Sequence, residues 1–348
     1  MNGNMGASNS PILAVRDLEK TFGSLVAARD ITISVPAEQT VGVIGANGAG
    51  KTTFINMITG HLKPSKGSIW FEDREITGKP SREITRLGIS RSFQVAQIFP
   101  SLTVFENICM AAAIARRAGG VWGNIASPVH SGAATAEAEA TIELFQIGRY
   151  RDTAANTLPQ GVRKLLDIGM AVVGWPRLLL LDEPTSGLDP AGVSDVLALV
   201  RELSHGDGVA VLLSSHQIEE VEEVCDSFTV LRCGRVVWNG TAAQLRSQAP
   251  LPAYRLSTSD DRRALEIAQG DPRVAAEASL SGGLILSAQD GGLDPYVLAL
   301  GEAGVAVRGL ELLVSSLQSM FFALTANPDP DAVAVAVPDL ARRAAAAR

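Results

Sequence analysis

The sequence predicts an α/β fold with a glycine-rich loop at its centre, followed by a small α+β domain. Three observations predict it. Residues 12–247 alternate strand-like and helix-like runs punctuated by glycine. A short apolar run, TVGVI at residues 40–44, leads straight into GANGAGKTT. A second, LLLL at residues 178–181, leads into Asp182 and Glu183. Short apolar runs bounded in this way read as strands buried on both faces.

The chain has 348 residues, 46% apolar and 19% charged, enough for a large core. Its net charge of −7 argues against a nucleic-acid partner, which needs a concentrated basic face. Cys109, Cys225 and Cys233 are scattered without a CxxC pair, so neither a disulfide framework nor a zinc site is expected. The opening MNGNMGASNSP has neither the basic nor the apolar region of a signal peptide. No run of about 20 apolar residues is present to span a bilayer. The most apolar stretch, residues 170–181, is interrupted by Trp175, Pro176 and Arg177. Work at a membrane would therefore pass through another subunit.

In chain order, the glycine-rich loop comes first. Gly45, Asn47, Gly48, Ala49, Gly50, Lys51, Thr52 and Thr53 fit G-x-x-x-x-G-K-[ST] between a strand and a helical run, FINMITG. Glycines let successive backbone N–H groups curl toward an anion. The helix N-terminus adds its positive dipole end. Lys51 offers a point charge to β- and γ-phosphates, and the Thr52 hydroxyl can ligate Mg²⁺. ATP with Mg²⁺ is the expected ligand.

Next, GISRSFQ ends on Gln94, whose neutral oxygen could meet Mg²⁺ or the attacking water. Residues 95–165 are rich in Ala and Glu and read as an inserted helical subdomain, with a loop over residues 119–132. Asp182, at a strand's C-terminal end, suits the Mg²⁺ shell. Glu183 could polarise water as a general base. Ser186 to Asp189 form a loop that could reach a neighbouring subunit. VAVLLSSH ends on His216, placed to meet the γ-phosphate. A lone His or Gln after a strand is more often structural, so both depend on the company they keep.

Pro250 to Pro252 mark a boundary. Beyond it residues 252–326 read as a strand (254–258), a helix (260–269, capped by Ser259 or Asp260), a hairpin (276–280 with 284–288), a helix begun by Asp294-Pro295, a strand (305–310) and a helix (316–325). That order suggests a ferredoxin-like sheet. Residues 327–348 are rich in Ala, Pro and Asp and read as a mobile tail.

The order GANGAGKTT, SFQ, LLLLDEPTSGLDP, SSH resembles the nucleotide-binding domain of ATP-binding-cassette (ABC) transporters, a P-loop NTPase fold, over about residues 12–246. The resemblance implies two such domains, as a homo- or heterodimer, sandwiching two ATP molecules head to tail. It implies a cytoplasmic location on the inner face of the plasma membrane, held there by an integral membrane transporter subunit. It makes Phe22, in LEKTFG, the aromatic that stacks on adenine. It assigns the segment after Gln94 to a groove for a membrane-subunit helix, with Phe99 and Pro100 as contacts. One motif departs. Where the family has Leu-Ser-Gly-Gly-Gln, this chain has Leu158-Pro159-Gln160-Gly161-Val162. Pro159 has neither the hydroxyl nor the N–H that reaches the opposite subunit's γ-phosphate. Gly161 and the helix behind it keep some anion affinity.

GISRSFQVAQIFPSLTVFENI resembles ATPases of branched-chain amino-acid importers. SSHQIEEVEEVCDSFTVLRCGRVVWNGT resembles ATPases of ABC-2-type exporters, as does the added domain ending SSLQSMFFALT. The extra domain favours an exporter. Two other classes compete: a ribosome- or DNA-associated ABC ATPase, and a regulatory subunit that barely hydrolyses ATP. The acidic charge and single cassette count against the first, and Glu183 and His216 against the second.

Overall fold

A computed structural model describes residues 11–92, 96–118, 132–248, 251–279, 282–289 and 291–314, with residues 318, 320, 321 and 324. The chain divides into two compact units, Met1–Asn239 and Gly240–Arg348. The sequence places the division after residue 247. The helix at Ala242–Gln248 instead groups with the second unit, and Leu245 within it is fully buried.

The first unit holds strands β1 (Leu13–Phe22), β2 (Leu25–Val35), β3 (Thr40–Ile44), β4 (Lys66–Phe71), β5 (Arg74–Glu75) and β6 (Ile89–Ser92), with helices α1 (Lys51–Ile58) and α2 (Ser81–Arg86) among them. Helices α3 (Val104–Ala118), α4 (Gly132–Leu144) and α5 (Gln160–Val172) follow. The unit continues with β7 (Leu178–Asp182), α6 (Pro190–Arg201), β8 (Ala210–Ser215), α7 (Ile218–Val224), β9 (Ser227–Arg232) and β10 (Arg235–Gly240). The six-stranded sheet runs β10-β9-β3-β8-β7-β6, and its pairings β9-β3, β3-β8, β8-β7 and β7-β6 are parallel. Every residue of β3, β7 and β8 is buried, as strands covered on both faces require. An antiparallel sheet, β2-β1-β4-β5, shares its core: Leu18, Ile31, Ile33 and Ile69 pack with Phe54, Ile55 and Ile58 of α1.

The helical insertion is present as α3, α4 and α5, interrupting the parallel order between β6 and β7. The loop expected at residues 119–132 lies outside the described residues except Gly132, which begins α4. Asn107, fully buried on α3, shapes the preceding turn. Its Oδ1 accepts from the Phe99 N–H, and its Nδ2 donates to the carbonyls of Phe99, Leu102 and Thr103.

The second unit holds α8 (Ala242–Gln248), β11 (Ala253–Thr258), α9 (Asp261–Gln269), β12 (Val274–Ala278), β13 (Leu284–Ala288), α10 (Leu293–Glu302) and β14 (Val307–Val314). Its sheet, β12-β13-β11-β14, is antiparallel throughout, the order of a β-α-β-β-α-β unit. Asp260 caps α9 by accepting from the Arg263 N–H. The helix after Gly292 starts earlier than expected: Gly292 is its N-cap, so Pro295 falls at the third helical position, still inside the first turn where no i−4 partner is needed. Residues 318, 320, 321 and 324 are helical, and the rest of the expected last helix lies outside the described residues.

Candidate functional site

β3, β8 and β7 lie side by side and parallel, so their C-terminal ends meet at one edge. In open α/β sheets ligands bind there. Here that edge carries the glycine-rich loop after Ile44, Asp182 and Glu183 after Leu181, and His216 after Ser215. Two glycines have no substitute. A Cβ at Gly45 would sit 2.5 Å from the Leu231 carbonyl oxygen. Gly50 has φ of +103°, and a Cβ there would lie 2.9 Å from the Ala27 carbonyl oxygen. The loop and helix α1 wall a cleft of about 460 Å³ with Leu25, Val26 and Ala27 of β2, Glu183, Cys233 and Gly234.

The Lys51 ammonium is 5% exposed and donates to the carbonyls of Gly45 (2.6 Å) and Ala46 (3.3 Å). It also pairs with Glu183 Oε1 at 3.2 Å. His216 Nδ1 stands 3.7 Å from Glu183 Oε2. Lys51, at the start of α1, and Glu183 thus line the cleft, and His216 stands beside Glu183.

Asp182, 1% exposed, is held from two sides. Its Oδ1 accepts from Ser214 Oγ at 2.8 Å and lies 3.5 Å from Thr52 Oγ1. Its Oδ2 accepts from Arg91 Nη2 at 2.9 Å. Arg91, on β6, also donates to Asn56 Oδ1 at 2.5 Å, tying α1 to β6 and β7. Burial pulls the Arg91 guanidinium below its usual value, and Asp182 pulls it back up. Lys164 of α5 is similarly buried. Burial lowers its pKa against the fields of Asp167, Asp182 and Glu183. A hydroxyl and a carboxylate side by side form an oxygen-only donor pair, which suits Mg²⁺ bound by one or two protein ligands plus phosphates. No cluster of three or more His, Cys, Asp or Glu side chains fit to hold a metal occurs among the described residues.

Gln94 lies outside the described residues. Phe22 is exposed at the end of β1, with the Lys20 ammonium 5.0 Å from its ring centroid. It does not line the cleft, and that wall belongs to Leu25, Val26 and Ala27. Asp189 is exposed and caps α6, accepting from the Gly192 N–H at 3.2 Å. Gly161 sits in the first turn of α5 facing open space. Neither reaches this chain's own cleft. Pro159 is the N-cap of α5 and makes no side-chain cap bond.

A second cleft, of about 450 Å³, lies between the end of the parallel sheet and the helical insertion. Gly88, Gln97, Phe99, Ile114, Met170 and Pro176 are among its walls. Phe99 lines it, and Pro100 does not.

The ABC transporter family profile matches residues 28–186. The chain is 32% identical over 242 residues to the high-affinity branched-chain amino acid transport ATP-binding protein LivG of Salmonella typhimurium, covering 69% of this chain and 95% of LivG. The chain belongs to the ATP-binding-cassette transporter ATPases. It is also 32% identical over 322 residues to the daunorubicin/doxorubicin resistance ATP-binding protein DrrA of Streptomyces peucetius, covering 90% of this chain and 92% of DrrA. The solved structure of MJ1267, an ATP-binding cassette of an ABC transporter, superposes with a TM-score of 0.60 at 30% identity, covering 67% of this chain and 92% of that one. As a member of this family the chain binds ATP and is an ATP hydrolase, the ATPase subunit of an ABC transporter. No helix among the described residues is long and apolar enough to cross a membrane.

Sequence reasoning missed Arg91 and Ser214 beside Asp182, and Cys233 and Gly234 in the cleft wall. Each lies at the end of a strand that neighbours β3 or β7 in the sheet but is far from it in sequence. Arg91 carried one readable signal, a charge inside the four-residue strand Ile89–Ser92.

Proposed function

We propose that this chain is the ATPase subunit of an ABC-2-type exporter. One observation carries the choice: the match to DrrA runs over 90% of the chain and so takes in most of the second unit, whereas the match to LivG covers 69%. DrrA's name describes daunorubicin/doxorubicin resistance, and LivG's describes transport of branched-chain amino acids. The importer reading rests on GISRSFQVAQIFPSLTVFENI and the LivG match.

In this reading Lys51 and the loop N–H groups bind the β- and γ-phosphates. Glu183 takes a proton from the attacking water, its carboxylate oriented by Lys51 at 3.2 Å and His216 at 3.7 Å. Thr52 and Asp182 would hold Mg²⁺, joined by Gln94, and the metal supplies charge neutralisation at the phosphate oxygens. Phe22 stacks on adenine, swinging from its place beside Lys20. Gly161 and Asp189 act on a second ATPase subunit. Pro159 weakens what this chain offers that subunit, so a homodimer hydrolyses slowly and a heterodimer keeps one full site.

The chain works at the cytoplasmic face of the plasma membrane, docked on an integral membrane subunit through the cleft walled by Gln97, Phe99 and Ile114. Co-purification with the membrane partner tests both claims. The exporter reading expects a permease recovered without a solute-binding protein, and ATP-driven efflux from cells. Recovery with a solute-binding protein and ATP-driven uptake would replace it with the importer reading. Phe99→Ala should reduce recovery of the membrane subunit at least about tenfold, as loss of a buried aromatic anchor does.

A further inference from the structure

β7 and β8 are in parallel register with Asp182 opposite Ser214. Ser214 is fully buried, and its hydroxyl meets both acidic residues. It donates its one proton to Asp182 Oδ1 at 2.8 Å and accepts from the Glu183 N–H at 3.0 Å. The same N–H also reaches the Ser214 carbonyl, at 3.1 Å. Glu183 has φ of +47°, a left-handed conformation that an L-residue with a Cβ does not adopt without support. The Ser214 bonds are support of that kind. They turn the chain sharply after Asp182, so that consecutive carboxylates diverge. Asp182 faces Thr52 and Arg91, and Glu183 faces Lys51 and His216.

We infer that Ser214 is a positioning residue for ATP hydrolysis, one hydroxyl that fixes Asp182 and the backbone of Glu183 relative to each other. The inference rests on Asp182 holding the metal and Glu183 acting as the base. Without the hydroxyl, Asp182 Oδ1 keeps only the distant Thr52 contact and is free to rotate toward Arg91. The Glu183 N–H keeps only the carbonyl, and its carboxylate loses registry with the cleft. The glycine-rich loop itself is untouched.

The test uses the purified full-length chain and the variants Ser214→Ala, Ser214→Thr and Glu183→Gln. Ser214→Ala should lower kcat about tenfold, the range for losing a hydrogen bond to a charged group, with KM for ATP within about twofold. Mg²⁺ titrated against a fluorescent ADP analogue should show its half-point raised about fivefold. ADP affinity without metal, and the melting temperature, should stay near the parent's. Ser214→Thr, which keeps the hydroxyl, should restore both kcat and the Mg²⁺ half-point. If Ser214→Ala turns over within twofold of the parent while Glu183→Gln is inactive, the inference fails and the roles of Glu183 and Asp182 stand. If Glu183→Gln hydrolyses normally, the underlying reading fails. Parallel losses in kcat, metal-free ADP binding and melting temperature would mark Ser214 as structural only, and that too overturns the inference.

Discussion

Pro159→Ser separates what the signature loop does for α5 from what it does for ATP. Pro159 is the N-cap of α5, with φ of −55° and ψ of 153°, and makes no side-chain cap bond. These angles suit serine without rearrangement. A serine there would cap the free N–H groups of the first turn, a gain of about 1 kcal/mol. Losing the proline ring frees the unfolded chain, a cost of about 0.4–1 kcal/mol. The two nearly cancel, so the melting temperature should move by less than about 3 °C. The rate should not stay still. In the proposed dimer the new hydroxyl and N–H would face the partner subunit's nucleotide, and one transition-state donor is worth about a hundredfold in kcat. Gln160 adds a second obstacle, its side-chain amide lying so close to Gly187 that a Cβ there would be 2.7 Å from Nε2. Pro159→Ser with Gln160→Gly should therefore raise phosphate release by the purified chain at least about tenfold, at saturating ATP and Mg²⁺. A kcat within twofold of the parent, with an unchanged melt, would falsify the claim that this loop limits the homodimer.

Three further expectations follow from geometry. Arg91→Met leaves Asp182 buried without its cation and should destabilise the protein by about 3 kcal/mol in urea unfolding, and adding Asp182→Leu should recover part of that loss. Gly50→Ala adds backbone strain at φ of +103° and a clash with the Ala27 oxygen, about 2 kcal/mol, so calorimetry should find ADP affinity lowered about thirtyfold. Gly48→Ala, with open space around its Cβ, should lose much less. In the second unit, burial pushes the Tyr296 hydroxyl from 10.0 up to about 12. The folded state holds that proton more tightly, so the stability linked to it is complete below pH 10 and is lost as pH rises through 12. Tyr296→Phe gives up the bond to the Ala264 carbonyl, about 1 kcal/mol at pH 7, and should flatten the pH 10–12 part of the unfolding profile. A parent profile already flat there would contradict it.

The sequence made the phosphate loop legible because its chemistry is local. Gly45, Gly50 and Lys51 act through backbone angles and a helix start that neighbouring residues dictate. The strand order was not legible, and with it went every contact across strands. Nothing near Arg91 says that Asp182 will be its partner, and nothing near Ser214 says that its hydroxyl will meet two acids. Both depend on β6, β7 and β8 becoming neighbours. The helical insertion was readable from its Ala and Glu content. Its first turn was harder, because Asn107 builds that turn through four backbone bonds from within α3. In the second unit the alternation over residues 254–258 gave the strand, which begins one residue earlier at Ala253, and of the two caps offered, Ser259 and Asp260, the helix uses Asp260. Pro295 misplaced a helix start by drawing the cap toward Asp294, when Gly292 already closes the turn.

The cleft wall carries a thiol, and the other two cysteines differ from it in reactivity. Cys109 and Cys225 both have their ionisation pushed up by burial, which withholds the thiolate that reagents attack. Cys233 is exposed and stands beside the loop that cradles phosphate. A maleimide dye added in small excess should therefore mark a single position without any engineering. Its emission would report nucleotide arrival and departure in a chain of unaltered sequence, turnover by turnover.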